Sequence, residues 1–134
     1  MKKKEVNNIA YKVFGLCIEV HKNLGPGLLE SVYHSCLVKE LELNNYSYDK
    51  ELIIPVVYKG LEINTQLRCD LFIENCVVVE LKSVKEFSPI FDAQVLTYMK
   101  LLKSPKGLLV NFNSYNLYED GFKTFVGEYF NLLE

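Results

Sequence analysis

Arginine is almost missing from this chain. Of its 15 Lys plus Arg residues only Arg68 is an arginine, which nearly excludes base reading by bidentate guanidinium forks. A surplus of either charge is missing too. The 15 basic residues face 17 acidic ones, a formal net charge of −2, so any binding of nucleic acid has to come from a local patch rather than the overall field. The cysteines Cys17, Cys36, Cys69 and Cys76 form no C-x-x-C pair, and no histidine stands at a zinc-finger offset, which argues against zinc. Each cysteine sits among apolar neighbours, so buried free thiols and a reducing, cytoplasmic setting are expected rather than disulfides. No uncharged stretch runs longer than Gly107 to Tyr118, and that one contains three Asn; about 20 apolar residues are needed to cross a bilayer, so no membrane role is expected. Met1-Lys-Lys-Lys4 is followed by Glu5, Asn7 and Asn8 rather than an apolar run, and is not read as a secretory signal. G-x-S-x-G, P-loop and Rossmann glycine patterns are also absent, leaving serine hydrolase, nucleoside triphosphatase and dehydrogenase readings without support.

What is present is an ordinary globular balance: 134 residues, 49% hydrophobic, 24% charged and 13% aromatic. That suits one domain over residues 1–134, large enough to bury a core without metal or disulfide staples. Apolar residues from Val6 to Val20 recur at helical spacing and predict a first amphipathic helix over Glu5 to Lys22. Asn23 to Gly27 breaks it, and Leu29, Val32, Tyr33, Cys36, Leu37 and Leu41 continue a second helix to about Leu43, with Pro26 acceptable in its first turn. The period then shortens. Leu52 to Tyr58 reads as a strand, Lys59-Gly60 as its turn, Leu61 to Phe72 as a second strand, Glu74-Asn75 as a turn, and Cys76 to Val84 as a third, central strand apolar on both faces. Ser88-Pro89 opens a helix that runs from Ile90 to Lys103, Leu108 to Phe112 is a fourth strand, and the aromatic C-terminal segment fits strand or helix equally. The expected fold is α/β, a mixed four-stranded sheet with an antiparallel meander beside a crossover strand, flanked by helices.

Three charged residues interrupt apolar strands: Asp70, Glu80 and Lys82. Glu80 and Lys82, two apart, point to one face of their strand, and Val79 and Leu81 to the other. A turn centred on Glu74-Asn75 brings Asp70 opposite Val79 and close to Glu80, with a bulge or register shift deciding its face. Two carboxylates converging there suit a hard divalent cation such as Mg²⁺, with Mn²⁺ as a substitute. A lysine beside them can orient or deprotonate water, or neutralise a phosphate oxygen, which is phosphodiester-hydrolysis chemistry; the same residues also fit a surface ion pair on a half-exposed strand. Gln94 lies on the sheet-facing side of its helix, where its amide needs a polar partner or water. Glu30 opens the second helix, where a carboxylate complements the helix dipole or serves as a third metal ligand. Gly25 and Gly27 form a turn that would let a substrate backbone approach. His21 precedes that turn and could meet phosphate, whereas His34 reads as a surface or packing residue.

Gly27-Leu-Leu-Glu30-Ser-Val-Tyr33, preceded by His21-Lys-Asn-Leu-Gly-Pro-Gly27, reads G-x-x-E-x-x-Y. With Asp70, Glu80-Leu-Lys82, Gln94-Val-Leu-Thr-Tyr98 and Gly107-Leu-Leu-Val-Asn-Phe112, the chain from about Val6 to Val126 resembles the bacterial and archaeal GxxExxY protein family, assigned to the PD-(D/E)XK nuclease superfamily. The resemblance implies a restriction-endonuclease-like αβββαβ core with an extra N-terminal helix. It also implies Mg²⁺ held by Asp70 and Glu80, with Glu30 as a helix-borne acid, the Leu81 carbonyl turned to the metal, Lys82 as the catalytic lysine and Gln94 as the polar residue of the second core helix. Cys69 departs from the pattern, standing where the superfamily name has proline.

The resulting expectation is a Mg²⁺-dependent nuclease acting on DNA or RNA. Asp70, Glu80, Lys82 and Gln94 form its catalytic set; His21, Gly27, Tyr33 and Lys85 contact substrate, and Lys100, Lys103 and Lys106 help hold the backbone. Few arginines and a near-neutral charge imply weak, salt-sensitive binding by a monomer, and hence a homodimer or a protein partner. The alternative is a non-catalytic nucleic-acid- or protein-binding module that keeps the fold, with Tyr33, Tyr98 and the C-terminal aromatics at its interface.

Overall fold

The computed structural model describes residues 1–134. Helix α1 (Lys3–Leu24) buries Val6, Ala10, Val13, Cys17 and Val20, a three-to-four spacing that gives one apolar stripe. Helix α2 (Glu30–Leu43) buries Tyr33, Leu37 and Leu41, each four apart. Between them Gly25 and Gly27 adopt φ of 68° and 99°, left-handed conformations that a Cβ disfavours. The turn at Gly27 postpones α2 to Glu30, so Pro26 lies in the loop and not in the first turn of the helix.

The main sheet has five strands in the order β1 (Tyr48–Ile53), β4 (Arg68–Ile73), β5 (Val77–Lys82), β6 (Lys106–Asn111) and β7 (Phe122–Val126). Only β5 and β6 are parallel, and α3 (Pro89–Leu102) connects them. The sheet is thus mixed, as expected, but one strand wider: the C-terminal segment forms β7 antiparallel to β6, with the short α4 (Leu117–Asp120) before it and α5 (Glu128–Asn131) after it.

The first expected hairpin is divided in two. β1 pairs with β4 at its base, while β2 (Val56–Tyr58) and β3 (Leu61–Ile63) form a separate two-stranded arm. Pro55 stands between β1 and β2 and has no N–H to donate to a ladder. The arm leaves Val57, Tyr58 and Leu61 about 60% exposed.

Strand β5 is the centre of the molecule. Val77, Val79 and Leu81 pack with residues of α1 and α2, and Val78 packs against Val95, Tyr98 and Met99 of α3. The three layers are therefore helix, sheet and helix, with two apolar cores sharing β5. Cys17, Cys69 and Cys76 are buried thiols, and burial pushes Cys17 up to about 12 and Cys76 up to about 11. No helix is long and apolar enough to cross a membrane.

Candidate active site

Strands β4 and β5 are joined through Glu74, Asn75 and Cys76. Glu74 and Asn75 are both left-handed, with φ of 52° and 53°, and Cys76 N–H bonds back to the Ile73 carbonyl. This turn pairs Ile73 with Val77 and Leu71 with Val79. Asp70 therefore stands level with Glu80, one residue from the Val79 position that a turn centred on Glu74-Asn75 predicts.

The β4–β5 pairing ends at Leu71 and Val79. Beyond it the strands are bridged by their acids: Asp70 N–H donates to Glu80 Oε2 at 2.7 Å, and Leu81 N–H donates to Asp70 Oδ2 at 2.8 Å. Side-chain alternation slips at the same place, since Leu71 and Ile73 belong to the α1/α2 core while Cys69 and Phe72 belong to the α3 core. The slip is a local break in the ladder rather than an inserted residue: Glu51 and Asp70 are left unpaired while the β1–β4 register is the same on either side of them.

Glu80 is only 3% exposed. Burial pushes its carboxyl up to about 8, with the adjacent Asp70 adding to the rise and Asp70 N–H and Lys82 opposing it. Asp70 is raised by burial, against the Leu81 N–H, His34 and Lys82. Glu30 is raised by burial and by Asp70, and lowered by Lys82 and the Ser83 N–H. A carboxyl whose folded pKa lies above its unfolded value stabilises the fold below the unfolded pKa, and that contribution is lost as pH rises through the folded pKa. The metal-free protein should accordingly lose thermal stability between about pH 5 and pH 9. Melting curves across that range, with and without Mg²⁺, check this: the cation should reduce the alkaline loss by compensating the carboxylates.

Lys82 follows on the same face as Glu80. Its Nζ donates to Gln94 Oε1 at 3.1 Å and lies 4.6 Å over the Phe91 ring, while Gln94 Nε2 donates to the Tyr98 hydroxyl at 3.1 Å. The polar partner that Gln94 needs is thus the lysine. An acid on β4, an acid and a lysine two apart on β5, and a glutamine on the crossover helix meet at one open ladder. A family model of the PD-(D/E)XK nuclease superfamily matches residues 7–125. The chain belongs to the PD-(D/E)XK nuclease superfamily. No curated protein and no solved structure gives a match.

Within this superfamily member an open cleft of about 270 Å³ is lined by Glu30, Ser31, His34, Glu51, Asp70 and Leu81. The N–H and C=O of a strand residue project to the same side, so the Leu81 carbonyl lies on the side where its N–H meets Asp70. Asp70, Glu80, Glu30 and this carbonyl offer only hard oxygens, the donor type that Mg²⁺ takes, while no three of the acidic side chains are gathered into one metal-sized cluster. Ser83 lies beside Glu30, its N–H helping to lower the carboxyl pKa, and its Oγ donates to the Leu28 carbonyl at 2.6 Å.

The G-x-x-E-x-x-Y residues divide between site and scaffold. Tyr33, expected at the substrate, is fully buried; its ring stacks on Phe112 at 4.5 Å. Its hydroxyl donates to the Gly25 carbonyl at 2.6 Å and accepts from Leu28 N–H at 3.1 Å, so it holds the loop instead of meeting a ligand. Tyr33→Phe should cost about 1 to 3 kcal/mol in denaturant unfolding, because both main-chain groups lose their partner. His21 is bonded through Nε2 to the Ser114 carbonyl at 2.6 Å. Gly27 is exposed in the loop, and Lys85 is exposed just beyond β5. Sequence reasoning missed Glu51, Ser83 and the bond from His34 to Asp70. Their placement depends on strands and helices distant in the chain.

Proposed function

We propose that the chain is a Mg²⁺-dependent nuclease of the GxxExxY group, a single domain that hydrolyses phosphodiester bonds in DNA or RNA in the cytoplasm. The observation that carries this reading is the pair of carboxyls, buried Glu80 and half-buried Asp70, meeting where the β4–β5 ladder opens, with Lys82 on the same face as Glu80. Asp70, Glu80, Glu30 and the Leu81 carbonyl would hold the cation. When bound, it supplies positive charge for the phosphate and lowers the pKa of water. Lys82, held by Gln94 and Phe91, places an ammonium where negative charge builds on the phosphate and can hand a proton to it or hold water in line. Tyr98 fixes the Gln94 amide, so the lysine is oriented before substrate arrives. Gly27 and Lys85, at the exposed rim, contact the backbone, with His21 behind the loop supporting it. The buried, weakly acidic thiols support the cytoplasmic assignment. A second protomer or a protein partner adds the phosphate contacts that a chain with one arginine lacks.

The test is incubation of purified protein with single- and double-stranded DNA and RNA in Mg²⁺ and then Mn²⁺, beside Glu80→Ala and Lys82→Ala. Cleavage by the parent and loss in both variants is expected, and the preferred polymer identifies the substrate. No cleavage, or equal cleavage by all three proteins, overturns intrinsic activity and leaves a binding module.

A further inference from the structure

Asp70 is the one residue inside β4 that the ladder skips on both sides. Toward β5 the pairing stops at Leu71 and Val79. Toward β1 it runs from Lys50 opposite Leu71 to Leu52 opposite Cys69, leaving out Glu51 and Asp70, and Glu51 is left-handed with φ of 50°. Main-chain polar groups in such a half-buried position need partners. The Asp70 N–H takes the Glu80 carboxylate, and the Asp70 carbonyl lies 3.0 Å from Nε2 of His34. His34 stands four residues after Glu30 on α2, the same helix face one turn on, and its ring lines the cleft beside Asp70.

We infer that His34 is a positioning residue for Asp70, an assignment that rests on the metal-dependent reading above. A carbonyl only accepts, so Nε2 carries the proton that the bond needs. That bond replaces a missing strand partner and fixes the peptide plane following Asp70. The direction of its Cα–Cβ bond, and so the place of its carboxylate, is set with it. Without the bond, a residue skipped by both neighbouring strands is held only through Glu80 and the Leu81 N–H, and its carboxylate is fixed less firmly for a cation. Partners that orient ligands in this way are worth about 10- to 100-fold in metal affinity.

The experiment compares the parent protein with His34→Ala and His34→Gln, whose amide Nε2–H can reach the same carbonyl. Calorimetric Mn²⁺ titration at one pH gives the affinity, and the Mg²⁺ dependence of cleavage gives the concentration for half-maximal rate. His34→Ala should weaken Mn²⁺ binding at least about tenfold and raise the half-maximal Mg²⁺ concentration by a similar factor. Its maximal rate should recover at saturating Mg²⁺, and His34→Gln should restore most of the affinity. Unchanged affinity in His34→Ala, or a His34→Gln protein as weak as it, overturns the assignment. If His34→Ala does not fold, His34→Met, which fills the space without a donor, takes its place. ¹H–¹⁵N spectra of the metal-free parent separate this idea from the nuclease reading. An Nε2–H pattern for His34 is expected whether or not metal binds or nucleic acid is cut, and an Nδ1–H pattern overturns the assignment even in an active nuclease. A parent that shows Nε2–H but binds no Mn²⁺ overturns the metal role and leaves only the bond.

Discussion

Glu80→Gln should lose nucleic-acid cleavage by at least about a hundredfold while melting at a higher temperature than the parent at pH 9 in the absence of metal. The two effects have one cause. Glu80 is nearly inaccessible to water and lies against a second carboxyl, and burial pushes it up to about 8. At pH 9 the parent must therefore hold an ionised carboxylate where solvation is poor. The amide carries no charge, keeps an oxygen to accept from Asp70 N–H, and gains an N–H₂ that can donate to the Asp70 carboxylate. Under the proposed function the same change removes a negative charge that would help hold the cation. Melting curves at pH 5 and pH 9 beside cleavage assays decide the matter: the stability gain should be present at pH 9 and absent at pH 5, where the parent's Glu80 is already protonated. A variant less stable than the parent at pH 9 would contradict the cost assigned to ionised Glu80.

Lys82→Ala should lower the maximal cleavage rate by about 10²- to 10³-fold and change substrate affinity by less than tenfold. The ammonium is fixed between the Gln94 amide oxygen and the Phe91 ring, so its position costs no reorganisation when charge develops on the phosphate. One lysine among 14 contributes little to general attraction for a polyanion, and its loss belongs in the rate rather than in binding. Gln94→Ala leaves Phe91 as the remaining contact described for the ammonium and should show a smaller fall of the same kind. Single-turnover rates at saturating Mg²⁺, with binding followed by anisotropy, separate the two terms. A large loss of affinity with an unchanged rate would make Lys82 a backbone contact.

The two long helices, the crossover helix and the doubly buried β5 are legible in the order of residues because their signals are local. A stripe at three-to-four spacing, a proline after serine and a run of valines each need only near neighbours in the chain. The shared face of Glu80 and Lys82 is of the same kind, since alternation along a strand is geometric. The G-x-x-E-x-x-Y resemblance, read with the acids and the lysine, led to the superfamily that the match over residues 7–125 shows.

Composition and periodicity determined the layers of this protein and marked Asp70, Glu80 and Lys82 as charged residues within its apolar strands. The meeting of Asp70 with Glu80 was decided in three dimensions: left-handed Glu74 and Asn75 set the register one residue from the simple turn, and the ladder breaks at Asp70. Pro55 and the missing ladder partners divided the long hairpin, and β6 drew the ambiguous tail into a fifth strand. Tyr33 reads as a substrate contact until its hydroxyl is seen holding the Gly25–Leu28 loop, and His34 as a surface residue until its ring is seen at the Asp70 carbonyl. Register, ladder breaks and hydrogen bonds between residues 36 apart depend on main-chain torsions and on elements brought together only by folding, and no local spacing encodes them.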